Sequence, residues 1–259
     1  MCPIENKEKN VNSSPQQKVV LITGGARRVG AEIARALHAH GAQVMIHYHN
    51  SAEAARTLQN ELNTLRPGSA AIAQANLLDT AQLPALVATT LATFGRLDAL
   101  VNNASTYYAT PLGQISQAQW EDLTGSNLKA PLFLSQAASQ ALQHSQGCII
   151  NITDMHIERP KKNYIVYSLA KAGLVTLTKS LARELAPAIR VNAVAPGPVL
   201  WPDDNQEFDA AYRQQVIAQT LLQRTGSPND IAQAVKFLIY DAPFITGHVL
   251  AVDGGRHLS

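Results

Sequence analysis

Lys18-Val19-Val20-Leu21-Ile22-Thr23-Gly24-Gly25-Ala26-Arg27-Arg28-Val29-Gly30 passes from an apolar run, through a glycine-bearing turn, into an amphipathic repeat that continues to His40 and stops at Gly41. A buried strand feeding a helix across such a turn leaves backbone N–H groups aimed outward at the positive end of the helix. That is where a dinucleotide pyrophosphate docks. Gly24 and Gly30, with Val29 between the turn and the helix, mark the close approach of backbone to phosphate. Arg28 carries a guanidinium into the same loop, either toward the phosphates or toward an anionic substrate.

The pattern of this first unit recurs. Strands are expected at Val19 to Ile22, Gln43 to His49, Ser69 to Ala75, Leu97 to Asn102, Cys148 to Thr153, Arg190 to Ala195 and Val249 to Val252. Helices are expected at Val29 to His40, Ala52 to Leu65 with Ser51 as N-cap, Gln82 to Phe94, Gln119 to His144 with a kink at Pro131, Tyr164 to Leu185, Asp209 to Leu222 and Asn229 to Tyr240. Strands rich in Val, Ile and Ala, joined by helical crossovers, belong in a parallel sheet buried on both faces. The fold class is therefore α/β: one doubly wound domain over residues 18–259, with about seven strands and helices on both sides. Met1 to Gln17 is polar and reads as a disordered leader without the apolar centre of a signal peptide. Pro196 to Glu207, with three prolines and Trp201, reads as a mobile loop over the site.

Composition narrows the function. The chain has 259 residues, 46% hydrophobic, with a net charge of +2 and its Lys and Arg scattered, so no nucleic-acid footprint stands out. No apolar run approaches the roughly 18 residues that span a membrane. Cys2 and Cys148 fall in a polar leader and a buried strand, which argues against a disulfide and for a reducing, cytoplasmic setting.

The second strand ends His47-Tyr48-His49-Asn50-Ser51 without a carboxylate. An acid at that position takes the ribose 2′-OH of NAD. Its absence leaves room for a 2′-phosphate, which His49, Asn50 and Ser51 can hydrogen-bond, so NADPH is the expected cofactor. His47 and His49 find no third ligand, and no metal site is expected.

Tyr167 and Lys171 stand four apart on one helix face. A tyrosine with a pKa of about 10 is a poor acid–base group near neutrality, and a neighbouring ammonium lowers it. Tyr-x-x-x-Lys resembles the catalytic pair of the short-chain dehydrogenase/reductase family. Asn127, the Asn102-Asn103-Ala104 turn and Pro196-Gly197 are similar to that family's Lys-orienting, cofactor-lining and carboxamide-contacting positions. The departure is Asp154, where the family carries Ser. A hydroxyl donates to a substrate carbonyl, whereas a carboxylate only accepts. Either Thr153 does the work of that Ser and Asp154 merely caps, or the substrate is a nitrogen-rich ring whose N–H groups a carboxylate binds and whose C=N bond is reduced.

Thr-Gly-x-x-x-Arg-x-Gly at 23–30, His-Tyr-His-x-Ser at 47–51, Asn-Asn-Ala-Ser with an aromatic at 102–107, and Asp154 with Tyr167 and Lys171 together resemble the pteridine reductase branch, and the C-terminal Gly254-Gly255-Arg256-His257-Leu258 resembles its bacterial dihydromonapterin and dihydrofolate reductases. The resemblance implies a homotetramer reducing pterins or dihydrofolate with NADPH. It implies that Arg28 and Ser105 contact pterin or phosphates, that Tyr107 stacks on the ring with Trp201 closing the other side, and that Asp154 and Tyr167 handle protons. It further implies that Lys171 positions ribose, and that Asn76, Leu77, Asn103, Ala104, Thr153, Pro196 and Gly197 line the cofactor. Asn50, Asn76 and Tyr107 depart from the residues usual in that branch. The basic loop from Met155 to Lys162 lies near the site, and Arg256 is expected to reach a neighbouring subunit.

Overall fold

The computed structural model describes residues 17–201 and 209–259. Strands β1 (Val19–Ile22), β2 (Gln43–Tyr48), β3 (Ala70–Gln74), β4 (Ala99–Asn102), β5 (Cys148–Ile152), β6 (Arg190–Pro196) and β7 (Val249–Val252) form one seven-stranded sheet in the order β3-β2-β1-β4-β5-β6-β7. Every pairing is parallel, with Leu21 beside Met45 on one side and Leu100 on the other.

Side chains alternate along each strand, so each face of the sheet acquires its own core. Val20, Ile22, Val44 and Ile46 face α1 (Arg28–Ala39), α2 (Ala52–Leu65) and α8 (Pro228–Tyr240), packing with Ile33, Leu37, Leu58 and Val235. Leu21, Met45, Leu100 and Ile149 face α3 (Leu83–Phe94) and α5 (Ala130–Ser145), packing with Leu86, Leu134 and Leu142. Burial on both faces explains why the strands read as unbroken apolar runs. Strand order reverses between β1 and β4, the switch point at which a doubly wound sheet has its crevice, outside the C-terminal ends of the strands.

Several boundaries depart from the sequence reading. The expected helix from Gln119 to His144 is two: α4 (Gln117–Thr124) and α5, joined by a single wide turn at Gly125–Lys129 in which the Ala130 N–H reaches back to the Gly125 carbonyl. Pro131 falls in the first turn of α5, directly after the wide turn. Ser51 precedes α2 but makes no side-chain capping bond. The last two helices begin with caps, Asp209 accepting from the Tyr212 N–H ahead of α7 (Ala210–Ala218) and Ser227 from the Asp230 N–H ahead of α8. Between β5 and α6 (Ile165–Glu184) lies a short 3-10 turn, Met155–Ile157. The expected leader, apart from Gln17, and the second half of the expected proline-rich loop, residues 202–207, lie outside the described residues. No helix among the described residues is long and apolar enough to cross a membrane.

Candidate active site

The glycine turn is tied to the end of β4. Thr23 Oγ1 accepts the backbone N–H groups of Asn103 and Ala104 at 2.9 and 3.0 Å, and Asn103 Nδ2 donates to the Thr23 and Gly24 carbonyls. A Cβ on Gly30 would sit 2.3 Å from the Gly24 carbonyl oxygen and 2.6 Å from Asn103 Nδ2, so only glycine fits. Arg28 adopts φ +53, a left-handed conformation that glycine takes without strain. It therefore occupies a position that the backbone suits to glycine, and its guanidinium donates to the Trp201 carbonyl at 3.1 Å.

His47 is only 2% exposed. Its Nδ1 accepts the Gly24 N–H at 3.1 Å and its Nε2 lies 3.1 Å from the Ala75 carbonyl. A nitrogen that accepts from an N–H carries no proton, so the ring is the neutral Nε2–H tautomer. Burial pushes its pKa down to about 4, against the opposing pull of the Ala75 bond. His47, expected to touch the cofactor, instead supports the phosphate loop from beneath. Tyr48 is buried too, whereas His49 and Asn50 at the end of β2 are exposed and Ser51 is half-buried. Asn76 uses its side chain to accept the Leu78 N–H within its own turn, and Leu77 is buried beside it.

A groove of about 440 Å³ runs from this loop to the sheet's C-terminal edge, lined among others by Gly24, Arg28, Val29, Gly30, Asn103, Ala104, Ser105, Thr153, Lys171, Pro196 and Gly197. A glycine cradle that a Cβ would fill, a helix N-terminus with no acid in its first turn and an open groove beyond it fit a nicotinamide dinucleotide.

At the groove's inner end, Asp154 follows β5 and starts the 3-10 turn. Its Oδ1 accepts the His156 N–H at 2.7 Å and the imidazole Nδ1–H at 2.9 Å, and its Oδ2 accepts the Tyr167 hydroxyl at 2.7 Å. Asp154 thus both caps and engages Tyr167. Thr153 cannot replace the missing Ser, because its buried hydroxyl donates to the Val194 carbonyl at 3.0 Å.

Burial pushes the Asp154 carboxyl up, but the bonds from His156 and Tyr167 outweigh it and hold the group below its ordinary value. Burial first, and then the Asp154 charge, drive Tyr167 well above 10. The expectation that Lys171 lowers Tyr167 is overturned in this geometry. The Lys171 ammonium donates to the Ile152 carbonyl at 2.8 Å and stands 5.7 Å from the Tyr167 ring centroid, while the carboxylate is in direct contact. Lys171 itself, 3% exposed, is pushed down to about 8 by burial, with Asp154 opposing.

Asn127 sits in the wide turn after α4. Its amide donates to the Leu123 and Thr106 carbonyls, both at 3.0 Å, and accepts the Ser105 hydroxyl at 2.7 Å. It therefore anchors the segment after β4 on which Ser105 and Tyr107 stand. Tyr107 stacks on Tyr164 at 4.7 Å and meets the Tyr167 ring edge-on at 4.8 Å.

A second cavity of about 220 Å³ adjoins the groove. Arg28, Tyr107, Asp154, Tyr167, Trp201 and Arg256 are among its lining residues. The structure thus gathers Arg28, Tyr107, Asp154, Tyr167 and Trp201 as expected, while Ser105 lines the cofactor groove instead. Arg256, expected to reach a neighbour, lines its own chain's cavity and donates to the Val216 carbonyl. Sequence reasoning missed His156 and Tyr212 as lining residues. The two-residue spacing from Asp154 to His156, which suits an Asx turn, was the available signal for the first. Tyr212 had none.

The catalytic pair, the glycine cradle and the strand order converge with sequence comparison. A family profile described as "Enoyl-(Acyl carrier protein) reductase" matches residues 24–257. The chain belongs to the short-chain dehydrogenase/reductase family. Among similar members of this family, pteridine reductase 1 of Leishmania tarentolae is 38% identical over 96% of this chain and 99% of its own. The 3-oxoacyl-[acyl-carrier-protein] reductase FabG of Staphylococcus aureus (strain Mu50) is 36% identical over 93% of this chain and 98% of its own. The 3-oxoacyl-[acyl-carrier-protein] reductase of Synechocystis sp. is 36% identical over 92% and 96%. As a short-chain reductase, the chain uses a nicotinamide cofactor and acts on a small molecule.

Proposed function

We propose that this short-chain reductase is an NADPH-dependent pteridine reductase, reducing C=N bonds of pterins and dihydropterins, with dihydrofolate as a further substrate. The observation that carries the reading is the Asp154 carboxylate accepting the Tyr167 hydroxyl at 2.7 Å, while the neighbouring Thr153 hydroxyl is donated to the Val194 carbonyl. Reduction of a ketone builds negative charge on oxygen, which an adjacent carboxylate opposes. Reduction of a C=N bond instead needs a proton at nitrogen. Asp154 keeps Tyr167 protonated, so the phenol carries the proton that the ring nitrogen needs, and the carboxylate is matched to ring N–H donors.

NADPH, when bound, supplies the hydride. The open end of β2 around His49, Asn50 and Ser51, with no carboxylate, supports the phosphorylated cofactor. Tyr107 offers a flat face beside Tyr167, and Arg28 and Arg256 offer donors to electron-rich ring edges. Exposed Trp120, Leu132, Phe133, Ile165 and Leu169 on α4, α5 and α6 support assembly, with a homotetramer as the expected form.

The test is oxidation of NADPH and of NADH with dihydrobiopterin, dihydromonapterin, dihydrofolate and a 3-oxoacyl thioester. Turnover of dihydropterins with Asp154→Ser inactive toward them supports the reading. The identity to 3-oxoacyl reductases favours carbonyl reduction as the second reading, and it wins if only the thioester is turned over.

A further inference from the structure

The mechanism above uses one oxygen of Asp154; the other is held by His156, a residue to which it assigns no role. The imidazole stands between two cavities. On the inner side it lines the one that contains Tyr107, Asp154, Tyr167, Arg28 and Arg256. On the outer side it lines one of about 310 Å³ with Arg159, Lys161, Tyr212 and Arg256. Its side chain is 31% exposed and that of Asp154 19%. A carboxylate can only accept, so the 2.9 Å contact places the imidazole proton on Nδ1 and leaves Nε2 as the ring's proton-accepting atom.

Resting on the reading that Tyr167 is the proton donor, we propose that His156 is a positioning residue. It orients the Asp154 carboxylate toward Tyr167 and offsets the charge of that pair when Tyr167 becomes a phenolate. As the Tyr167 O–H bond breaks and an N–H bond forms on the product, two anionic oxygens are left in contact. The imidazole then binds a proton from solvent at Nε2 and becomes an imidazolium hydrogen-bonded to Asp154. When Tyr167 recovers its proton from solvent, the imidazolium releases its own. Protons balance over the cycle and no oxidant or reductant beyond the cofactor is involved. Among the described residues, the charged and titratable groups that share these two cavities with the ring are the anionic Asp154 and the cationic Arg28, Arg159, Lys161 and Arg256, with the phenols of Tyr107, Tyr167 and Tyr212.

The first measurement needs no substrate. Nitrogen-15 shifts of His156 above its titration range are expected to show the Nδ1–H tautomer in the native protein, and to lose it in Asp154→Ala. An Nε2–H tautomer in the native protein overturns the proposal, whichever substrate the enzyme turns over. Absence of dihydropterin turnover with the Nδ1–H tautomer intact overturns the pteridine reading and leaves the positioning role standing. With the substrate that the panel identifies, His156→Leu is expected to lower kcat about tenfold or more with little change in KM. His156→Asn, whose amide replaces the Nδ1–H donor without a titrating ring, is expected to recover most of kcat at high pH and to lose one ionisation from the pH profile. A pH profile of His156→Asn that superimposes on the native one refutes the charge-offsetting role.

Discussion

Acidification is expected to unlatch the phosphate loop through His47. Burial opposes charge on the ring and lowers its pKa from 6.5 to about 4, and the neutral Nδ1 accepts the Gly24 N–H. In the unfolded chain the same imidazole takes up a proton near 6.5. Between these values the unfolded state binds a proton that the folded state refuses, so stability falls as pH falls through that window and is fully present above it. At about 1.36 kcal/mol per pH unit, the span from 6.5 to about 4 is worth roughly 3 kcal/mol. His47→Asn places an amide oxygen where Nδ1 stood and keeps an acceptor for Gly24. It forgoes the Ala75 bond, at a pH-independent cost of about 1 kcal/mol. Urea unfolding of both proteins at pH 7, 6, 5 and 4, together with NADPH titration at each pH, measures the difference. The native protein is expected to lose stability more steeply than the variant, with cofactor affinity falling in parallel. Equal slopes for the two proteins would refute the assignment of a neutral, loop-supporting ring.

Lys171 acts in the same direction at higher pH, costing stability below its titration window. Its ammonium is held down to about 8, so in the cofactor-free protein stability is expected to rise from pH 8 toward 10.5. Lys171→Met should remove up to about 3 kcal/mol of that slope, less about 1 kcal/mol for the bond lost to Ile152, while abolishing turnover. Gly30→Ala drives a methyl into the Gly24 carbonyl and Asn103. It should cost about 1–3 kcal/mol in urea unfolding and weaken cofactor binding tenfold or more in fluorescence titrations. Tyr107→Ala, but not Tyr107→Phe, should raise KM for the ring substrate about two- to tenfold, the worth of an aromatic pair of about 0.5–1.5 kcal/mol, with kcat less affected.

What was legible in the sequence was legible for physical reasons. A sheet buried on both faces forces apolar strands, so Val19 to Ile22 and Cys148 to Ile152 announced themselves, and the glycine turn marked the first crossover. The Tyr167 and Lys171 spacing needs only a helix to place both on one face. Other features depend on contacts that no local pattern encodes. His47 and His49 are alike in sequence and would share a face, yet His47 lies within β2, buried beneath the glycine turn, whereas His49 lies past the strand's end and is exposed. Lys171 pairs with a strand carbonyl from nineteen residues away, and Asp154 divides its two oxygens between a turn and a helix. The wide turn at Gly125–Lys129 was hidden because helix continues on both sides of it and one extra residue leaves no local mark in the pattern.

That wide turn is also a register mark for evolution. The residue it accommodates in excess of a regular α-helix sets which way Asn127 faces, and each residue of an α-helix turns the chain by about 100°. A single deletion between α4 and α5 would give a smoother helix yet rotate Asn127 out of reach of Ser105 and Thr106, freeing the segment that carries Tyr107. Length changes, which the loops of this fold absorb readily, are thus forbidden at one place inside a helix. A relative shortened there would be expected to keep the fold and lose the site.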